Sequence, residues 1–574
     1  MSTVELVGEQ TPAAETPTED RRGAPRDRGF AAAVGIPTLV LAVHSASYGP
    51  WIEDDAGITF AYARSIATGA GPVLQPGAEA VEGFSNPLWL AVLVVGHWLG
   101  LFDHGAWFGL PDLVLFPKLV ALACAAAMFA VLYGLARTVS ARPVALTVVA
   151  GTVTALVPSF AIWTTSGLEN GLYALLVVAL GATVARAAVE GRLLASRVAV
   201  AAGALAGLAA LTRPDGLIYL AVYPVVAVLL AGSGWRRVVT PGLRSVSTAL
   251  VPVGLYLVWR LVTFGDWLPT TARAKRQELP GPGDLARPGE LVSYAGWLAV
   301  VLAVAAVALA LTQRSRVRTA VGVLLVPLTL TLVVYAVLAA DWMAQFRFAT
   351  PLWPLGAFVG VLAFGDVMGR CTSRRARVLA LLAVALAVLA SGSVWLDNAV
   401  GFRRNPTAPM CFVATSVGER INAYADILGV RDGTLAAVDG GGTALTSRLR
   451  FVDLSGLADA RFAELWQRND TRGVRDLLFD TVRPTFFKLD NGWSGTASSG
   501  LLNDPRLTRD YVVLISTQAG SGTWVRRDVV PDAGHLALAR GHATAGFADV
   551  DAPFLRGHRN AWTCGPTLRT GEVS

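Results

Sequence analysis

Three adjacent carboxylates, Glu53, Asp54 and Asp55, follow directly on the first long apolar block of the chain. Carboxylates this close to a membrane boundary repel one another and are costly to desolvate. They suit a base, a cation or a metal; an isolated Asp-Asp pair would read as a solvated helix end. The residues that follow favour the first group. Ile58, Phe60, Tyr62, Ala63 and Ile66 recur with helical spacing, and a glycine-rich turn then leads to Glu82-Gly83-Phe84-Ser85-Asn86-Pro87.

Further charged and aromatic groups punctuate the apolar blocks. Arg213-Pro214-Asp215 pairs a guanidinium with a carboxylate beside a helix-starting proline. That is either a plain cap and ion pair or a fork for a phosphate. Asp266, Trp267, Arg273, Lys275 and Arg276 follow the block ending near residue 264. They suit lipid headgroups by snorkelling, or a lipid phosphate held specifically. Asp341 and Arg347 flank an aromatic turn, and Glu169 closes the run WTTSGLE. Tryptophans near such turns can stack on sugar rings, and they are also ordinary interface anchors. Acids, arginines, a lysine and aromatics on one face would serve transfer of a sugar from a phospholipid carrier. A carboxylate takes the proton of the acceptor hydroxyl, and cations neutralise the departing phosphate.

Whether these groups share a face depends on the elements between them. The chain has 574 residues, 53% hydrophobic and 16% charged, against about 25% charged in soluble proteins. Apolar blocks recur to about residue 400 and then stop. The spacing predicts spans at 30–49, 115–137, 143–161, 170–189, 197–212, 216–233, 243–264, 292–312, 319–340, 347–366 and 376–396. Basic connectors at Arg137 to Arg142, Arg192 to Arg197, Arg236 to Arg237, Arg314 to Arg318 and Arg370 to Arg377 then join the basic N-terminus on one side, the cytoplasm. Residues 87–102 would break this order if they crossed. They are therefore expected to lie in the outer interface, where Trp89, His97 and Trp98 fit.

The net charge of +7 is spread over these short loops. It sets topology and gives no nucleic-acid signature. The expected organisation is a disordered cytoplasmic N-terminus over 1–29, a membrane domain over 30–399 and an extracytoplasmic domain over 400–574. The first span lacks a nearby cleavage site and is expected to be retained. In the last domain, TLAAVDG, RFVDLSGL, TFFKL, DYVVLIS and GTWVRRD read as strands and 460–479 as helical, which points to an α/β unit. Asp439-Gly440-Gly441-Gly442 lacks the spacing of a phosphate loop and reads as a turn. Cys411 and Cys564 bracket the domain; outside the cell a disulfide between them is expected, and two unpaired thiols are the other reading.

EDDAGITFAYAR, GPVLQPG, VEGFSNPLW, TTSGLENGLYALL, LTRPDG, FGDWLPTTARAK and DWMAQFRFATPLWP, in that order, resemble the membrane glycosyltransferases of the GT-C fold. More narrowly they resemble the actinobacterial terminal arabinofuranosyltransferases. The resemblance implies a polytopic α-helical protein whose first outer loop carries interfacial helices and the catalytic carboxylate. It makes Asp54 or Asp55 the catalytic acid/base residue. Arg213, Lys275, Arg273 and Arg347 become candidates for the donor phosphate and lipid, and Glu82, Glu169, Asp215, Asp341 and Trp267 for sugar or acceptor hydroxyls. Relatives often carry an aromatic where this chain has Gly57.

The narrower resemblance implies decaprenyl-phosphoryl arabinofuranose as donor, the non-reducing ends of cell-wall arabinan as acceptor, and a new β-(1→2) bond. Donor and product would share the β configuration. Such retention calls for a carboxylate nucleophile with two displacements, or a front-face route. A transferase of mannose or another polyprenyl-phosphate sugar needs the same groups. A lipid-linked-sugar transporter would place charges mid-membrane and show repeats, and this chain does neither. The expected setting is the plasma membrane, with the active site outside. A divalent cation at the acidic triplet is an option from the oxygen ligands alone; no metal or other cofactor is assigned.

Overall fold

The computed structural model describes residues 26–231, 234, 236–275, 281–489, 494–516, 520–556 and 568–573. Cys564 and Arg276 lie outside the described residues. Helix α1 spans Arg26–Ala46, α2 Asp54–Ala67 and α3 Pro87–Trp98. The bundle continues with α4 (Asp112–Val139), α5 (Pro143–Leu156), α6 (Pro158–Thr164), α7 (Asn170–Val189) and α8 (Ser196–Thr212). A tight helical turn from Pro214 runs into α9 (Val222–Ala231), followed by α10 (Arg236–Phe264) and the short α11 (Thr270–Lys275).

Among the described residues, eight helices are long and apolar enough to cross a membrane, or ten if two bent pairs each count as one span. The bent pairs are Pro143–Leu156 with Pro158–Thr164 and Pro282–Ala295 with Trp297–Leu311. Pro158 opens the second half of the first pair, since proline lacks the N–H that would continue a ladder, and the second pair breaks at Gly296, whose φ is +93°. Adding α8, 17 residues long, accounts for each of the eleven expected spans. Helix α3 has 12 residues. At 1.5 Å per residue it is roughly 18 Å long, too short for a hydrocarbon core of about 30 Å. The protein is a multi-pass membrane protein, and α3 is a short apolar helix in the connector between α1 and α4.

The alternation of connectors is visible in contacts. The segments 51–55, 162–170, 213–215, 266–275 and 341–350 meet one another at one end of the bundle. The basic connectors lie at the other ends of the same helices.

Beyond the 31-residue helix Arg374–Arg404 the chain builds a mixed five-stranded sheet. Strands β1 (Ala106–Trp107) and β2 (Leu110–Pro111) form a small hairpin in the connector before α4. The sheet proper contains β3 (Thr434–Ala437), β4 (Arg450–Asp453), β5 (Phe486–Leu489), β6 (Tyr511–Ser516) and β7 (Gly522–Arg526). Its order is β4-β3-β5-β7-β6, with β3 parallel to β4 and β5 and with β7 antiparallel to β5 and β6. The alternation of side chains along a strand separates two cores. Leu435, Ala437, Phe451 and Phe486 join a buried core continuous with the membrane helices. Ala436, Val452, Phe487 and Leu489 face a smaller core on the other side. The sheet thus packs through one face onto the end of the bundle where 51–55 and 341–350 lie.

Candidate functional site

The site begins where α2 begins. Glu53 precedes the helix and its Oε2 accepts the Asp55 N–H at 2.7 Å, capping the first turn. Acidic residues suit this position because the first-turn N–H groups are unpaired and carry partial positive charge. The backbone is pinned on both sides. Glu53 N–H donates to Ser166 O at 3.0 Å, and Asp54 N–H donates to Ala408 O at 2.9 Å. Met410 N–H returns to Ile52 O at 2.9 Å.

The three carboxylates then have three different surroundings. Glu53 is fully buried, and its Oε1 has no hydrogen-bond partner among the described residues. Burial, and then the nearby Asp55 and Asp54, push its carboxyl well above the usual range. Asp54 is buried as well. Its Oδ1 accepts the Gly442 N–H at 2.7 Å and its Oδ2 the Gly441 N–H at 3.0 Å. Burial and the Asp439 carboxylate push its pKa up, against the pull of those two N–H groups. Asp55 alone is partly open, its side chain 24% exposed, with Lys275 Nζ 3.8 Å from Oδ2.

Gly441 and Gly442 open α20 (Gly441–Thr446), which lies beside α2. The two helices approach so closely that a Cβ at Gly57 would sit 2.7 Å from the Gly441 carbonyl carbon. A Cβ at Gly441 would collide with the Asp54 carbonyl oxygen. The far end of α2 is held too: Arg64 donates to Leu445 O at 2.9 Å and to Ala444 O at 3.0 Å. Gln75 accepts the Phe451 N–H at 2.8 Å. An aromatic at position 57 would fill the space that the Gly441 backbone occupies here. The sequence reading treated Asp439 to Gly442 as a turn and missed this contact; the run of three glycines was the available signal.

Beneath the triplet lie two buried arginines. Arg347 Nε is 2.9 Å from Asp341 Oδ2, and its charge reaches Glu53. Arg213 bridges Glu169 and Asp215, each at 2.9 Å. The Phe348 ring stands beside both guanidinium groups, at 5.0 Å from Arg347 and 4.9 Å from Arg213. Asn86 donates to Glu169 Oε2 at 2.8 Å, which ties the connector between α2 and α3 to this layer. The sequence candidates Arg213, Arg347, Glu169, Asp215 and Asp341 are therefore one connected network, and its guanidinium groups already have internal carboxylate partners.

The remaining candidates hold the connector after α10. Glu82 lies 2.6 Å from Arg260 and bonds Tyr256, and its carbonyl accepts the Thr270 N–H at 3.1 Å. Burial raises the Glu82 pKa. Arg273 pairs with Asp266, while Trp267 is 63% exposed. Sequence reasoning passed over Lys118 as a site residue. Its Nζ reaches Thr165 O at 3.3 Å, next to Ser166 and the triplet, with no carboxylate partner among the described residues.

Among the described residues no group of three or more His, Cys, Asp or Glu side chains is placed to hold a metal ion. The carboxylates of the triplet point to separate partners. Cys411 is buried and disulfide-bonded, while Cys124 and Cys371 are free.

No family model matches the chain, and no curated protein matches it in sequence. Solved structures do match. ArnT from Cupriavidus metallidurans bound to undecaprenyl phosphate is 14% identical, with a TM-score of 0.55, over 87% of this chain and 99% of that one. The apo form of the same protein gives 14% identity and a TM-score of 0.52, over 87% and 98%. The apo oligosaccharyltransferase of Archaeoglobus fulgidus gives 11% and 0.51, over 85% of this chain and 73% of that one. Likeness at this identity shows the fold, which is that of the polytopic GT-C membrane proteins.

Proposed function

We propose that this protein is a glycosyltransferase that uses a polyprenyl-phosphate sugar. The donor in this reading is decaprenyl-phosphoryl arabinofuranose and the acceptor the non-reducing ends of cell-wall arabinan, with a β-(1→2) bond formed. The observation that carries the reading is the single open carboxylate of the triplet. Asp55 lies 3.8 Å from the half-exposed Lys275, at the outer end of a bundle with the GT-C fold. One group of the Asp54/Asp55 pair takes the acceptor proton or attacks the sugar. Lys275 is the accessible cation for the departing phosphate. The Arg213 and Arg347 guanidinium groups lie close by but are already paired with Glu169, Asp215 and Asp341. The ArnT structure supports this choice of carrier, since that protein is bound to undecaprenyl phosphate. The site face is extracytoplasmic in this reading, because the basic connectors lie at the opposite end of the helices.

The test is transfer by purified full-length protein in nanodiscs, with polyprenyl-phosphoryl arabinose or mannose as donor and a short arabinan as acceptor. Arabinose transfer is expected, and lost by about 10²–10⁴-fold in Asp55→Ala if that carboxylate is the acid/base group. Transfer of mannose instead, or full activity in both Asp54→Ala and Asp55→Ala, overturns the reading.

A further inference from the structure

The two aspartates are adjacent in sequence, yet the structure treats them differently. Both oxygens of Asp54 are engaged by backbone N–H groups of the sheet domain, at 2.7 and 3.0 Å. Both donors are glycines whose Cβ positions are blocked by backbone atoms, Gly441 by Asp54 itself and Gly442 by Ala414 and Met410. The contact is one of several along α2. Arg64 grips the carbonyls at the other end of α20, the Asp54 N–H is held by Ala408, and Glu53 pairs with Pro409 as an isolated bridge. Asp54 is also only 5% exposed, which closes it to an acceptor hydroxyl. Among the described residues nothing comparable occupies Asp55, whose carboxylate faces Lys275 and is partly open.

We propose that Asp54 is a positioning residue, clamped by the Gly441 and Gly442 amides, and that the sheet domain thereby sets the orientation of Asp55, the residue that meets substrate. This rests on the transferase reading for the role of Asp55, but the clamp itself does not. The sheet domain then acts on the site directly: without its glycine pair the first turn of α2 is not held in register with the site. A carboxyl group whose two oxygens each accept a fixed N–H is well suited to this work, because the two bonds set its orientation. Fixing a reacting group within a fraction of an ångström is worth orders of magnitude in rate.

Two measurements on the full-length protein test it. The first is hydrogen exchange, which needs no substrate. Asp54→Asn can satisfy only one of the two donors with its carbonyl oxygen. Faster exchange is expected across 436–446 and across 50–60 in this variant, and unchanged exchange across 436–446 in Asp55→Asn. Equal protection of 436–446 in Asp54→Asn and wild type overturns the clamp, whatever the sugar. The second is kinetic. Asp55→Asn is expected to lower kcat by about 10³-fold and to flatten the acidic limb of the pH–rate profile. Asp54→Asn should lower kcat about 10–100-fold, keep KM for the donor within twofold, and keep the acidic limb. Loss of that limb in Asp54→Asn, with activity retained in Asp55→Asn, would make Asp54 the reacting group and overturn the proposal. Gly442→Ala should reproduce Asp54→Asn, and the double variant should be no slower than either single one; if Gly442→Ala fails to fold, the exchange and pH readouts on the asparagine variants decide alone.

Discussion

Charges that look alike in the sequence divide here into those that hold the protein together and those left available. Arg213 sits between two carboxylates with its side chain 10% exposed. Removing it strands Glu169 and Asp215 in a buried setting, which typically costs about 3–5 kcal/mol. Lys275, 52% exposed, makes one long contact with Asp55, and such pairs contribute about 1 kcal/mol or less. Arg213→Ala is therefore expected to lower the thermal midpoint in detergent by several degrees, while Lys275→Ala leaves it within about a degree and lowers transfer activity. The reverse pattern would exchange their roles. Glu419 gives a pH prediction. Burial and the neighbouring Glu572 push its carboxyl up to about 7 from 4.5. The folded protein keeps a proton there that the unfolded chain has lost, so this contribution to stability is full below about pH 4.5 and disappears as pH rises through about 7. Glu419→Gln should be more stable than wild type at pH 8, with the advantage gone at pH 4.5, in melts monitored by intrinsic fluorescence.

Helix length decides the topology. Everything after α3 changes sides if that helix crosses, and its 12 residues are too few to do so. Cysteines placed at Glu79 and Asp103, flanking α3 and both exposed, should react with an impermeant maleimide from the same side in a Cys371→Ser background. Labelling from opposite sides would reverse the sidedness of all later connectors. The α2–α20 pair makes a second point about elements. Its spacing is set by absent side chains, Gly57 on one helix and Gly441 on the other. Polar bonds at both ends, through Asp54 and Arg64, then fix the register of one helix along the other.

The molecule has one principal core, not two joined by a tether. Buried residues run without a break from Leu41 and Phe129 in the bundle to Leu435 and Phe486 in the sheet. Phe486→Ala removes a fully buried ring at that junction, a change that typically costs about 3–5 kcal/mol. It should lower a single transition seen both by a probe on the sheet domain and by one on the membrane helices. A sheet-domain transition that shifts alone would mean the two parts fold independently. The continuity also gives the α2–α20 contact its rigidity, since the glycine pair is backed by the packed sheet.

Much of this was legible in residue order. Apolar runs long enough to cross, interrupted by arginines on alternate connectors, announce a bundle of membrane spans, because lipid leaves backbone polar groups no partner but the helix itself. The same order placed Glu53 to Asp55, Arg213, Lys275 and Arg347 on one face. Alternating strands announced the sheet domain. Sequence could not distinguish Asp54 from Asp55, because adjacent identical residues differ only in what folding brings against them. The amides that occupy Asp54 come from a segment 387 and 388 positions away, through a backbone approach that leaves no side-chain signature beyond glycine. Nor could it show that Arg213 and Arg347 are already paired, because burial and partners belong to the packed molecule. The charges could be counted from the sequence; packing determined which of them remained accessible.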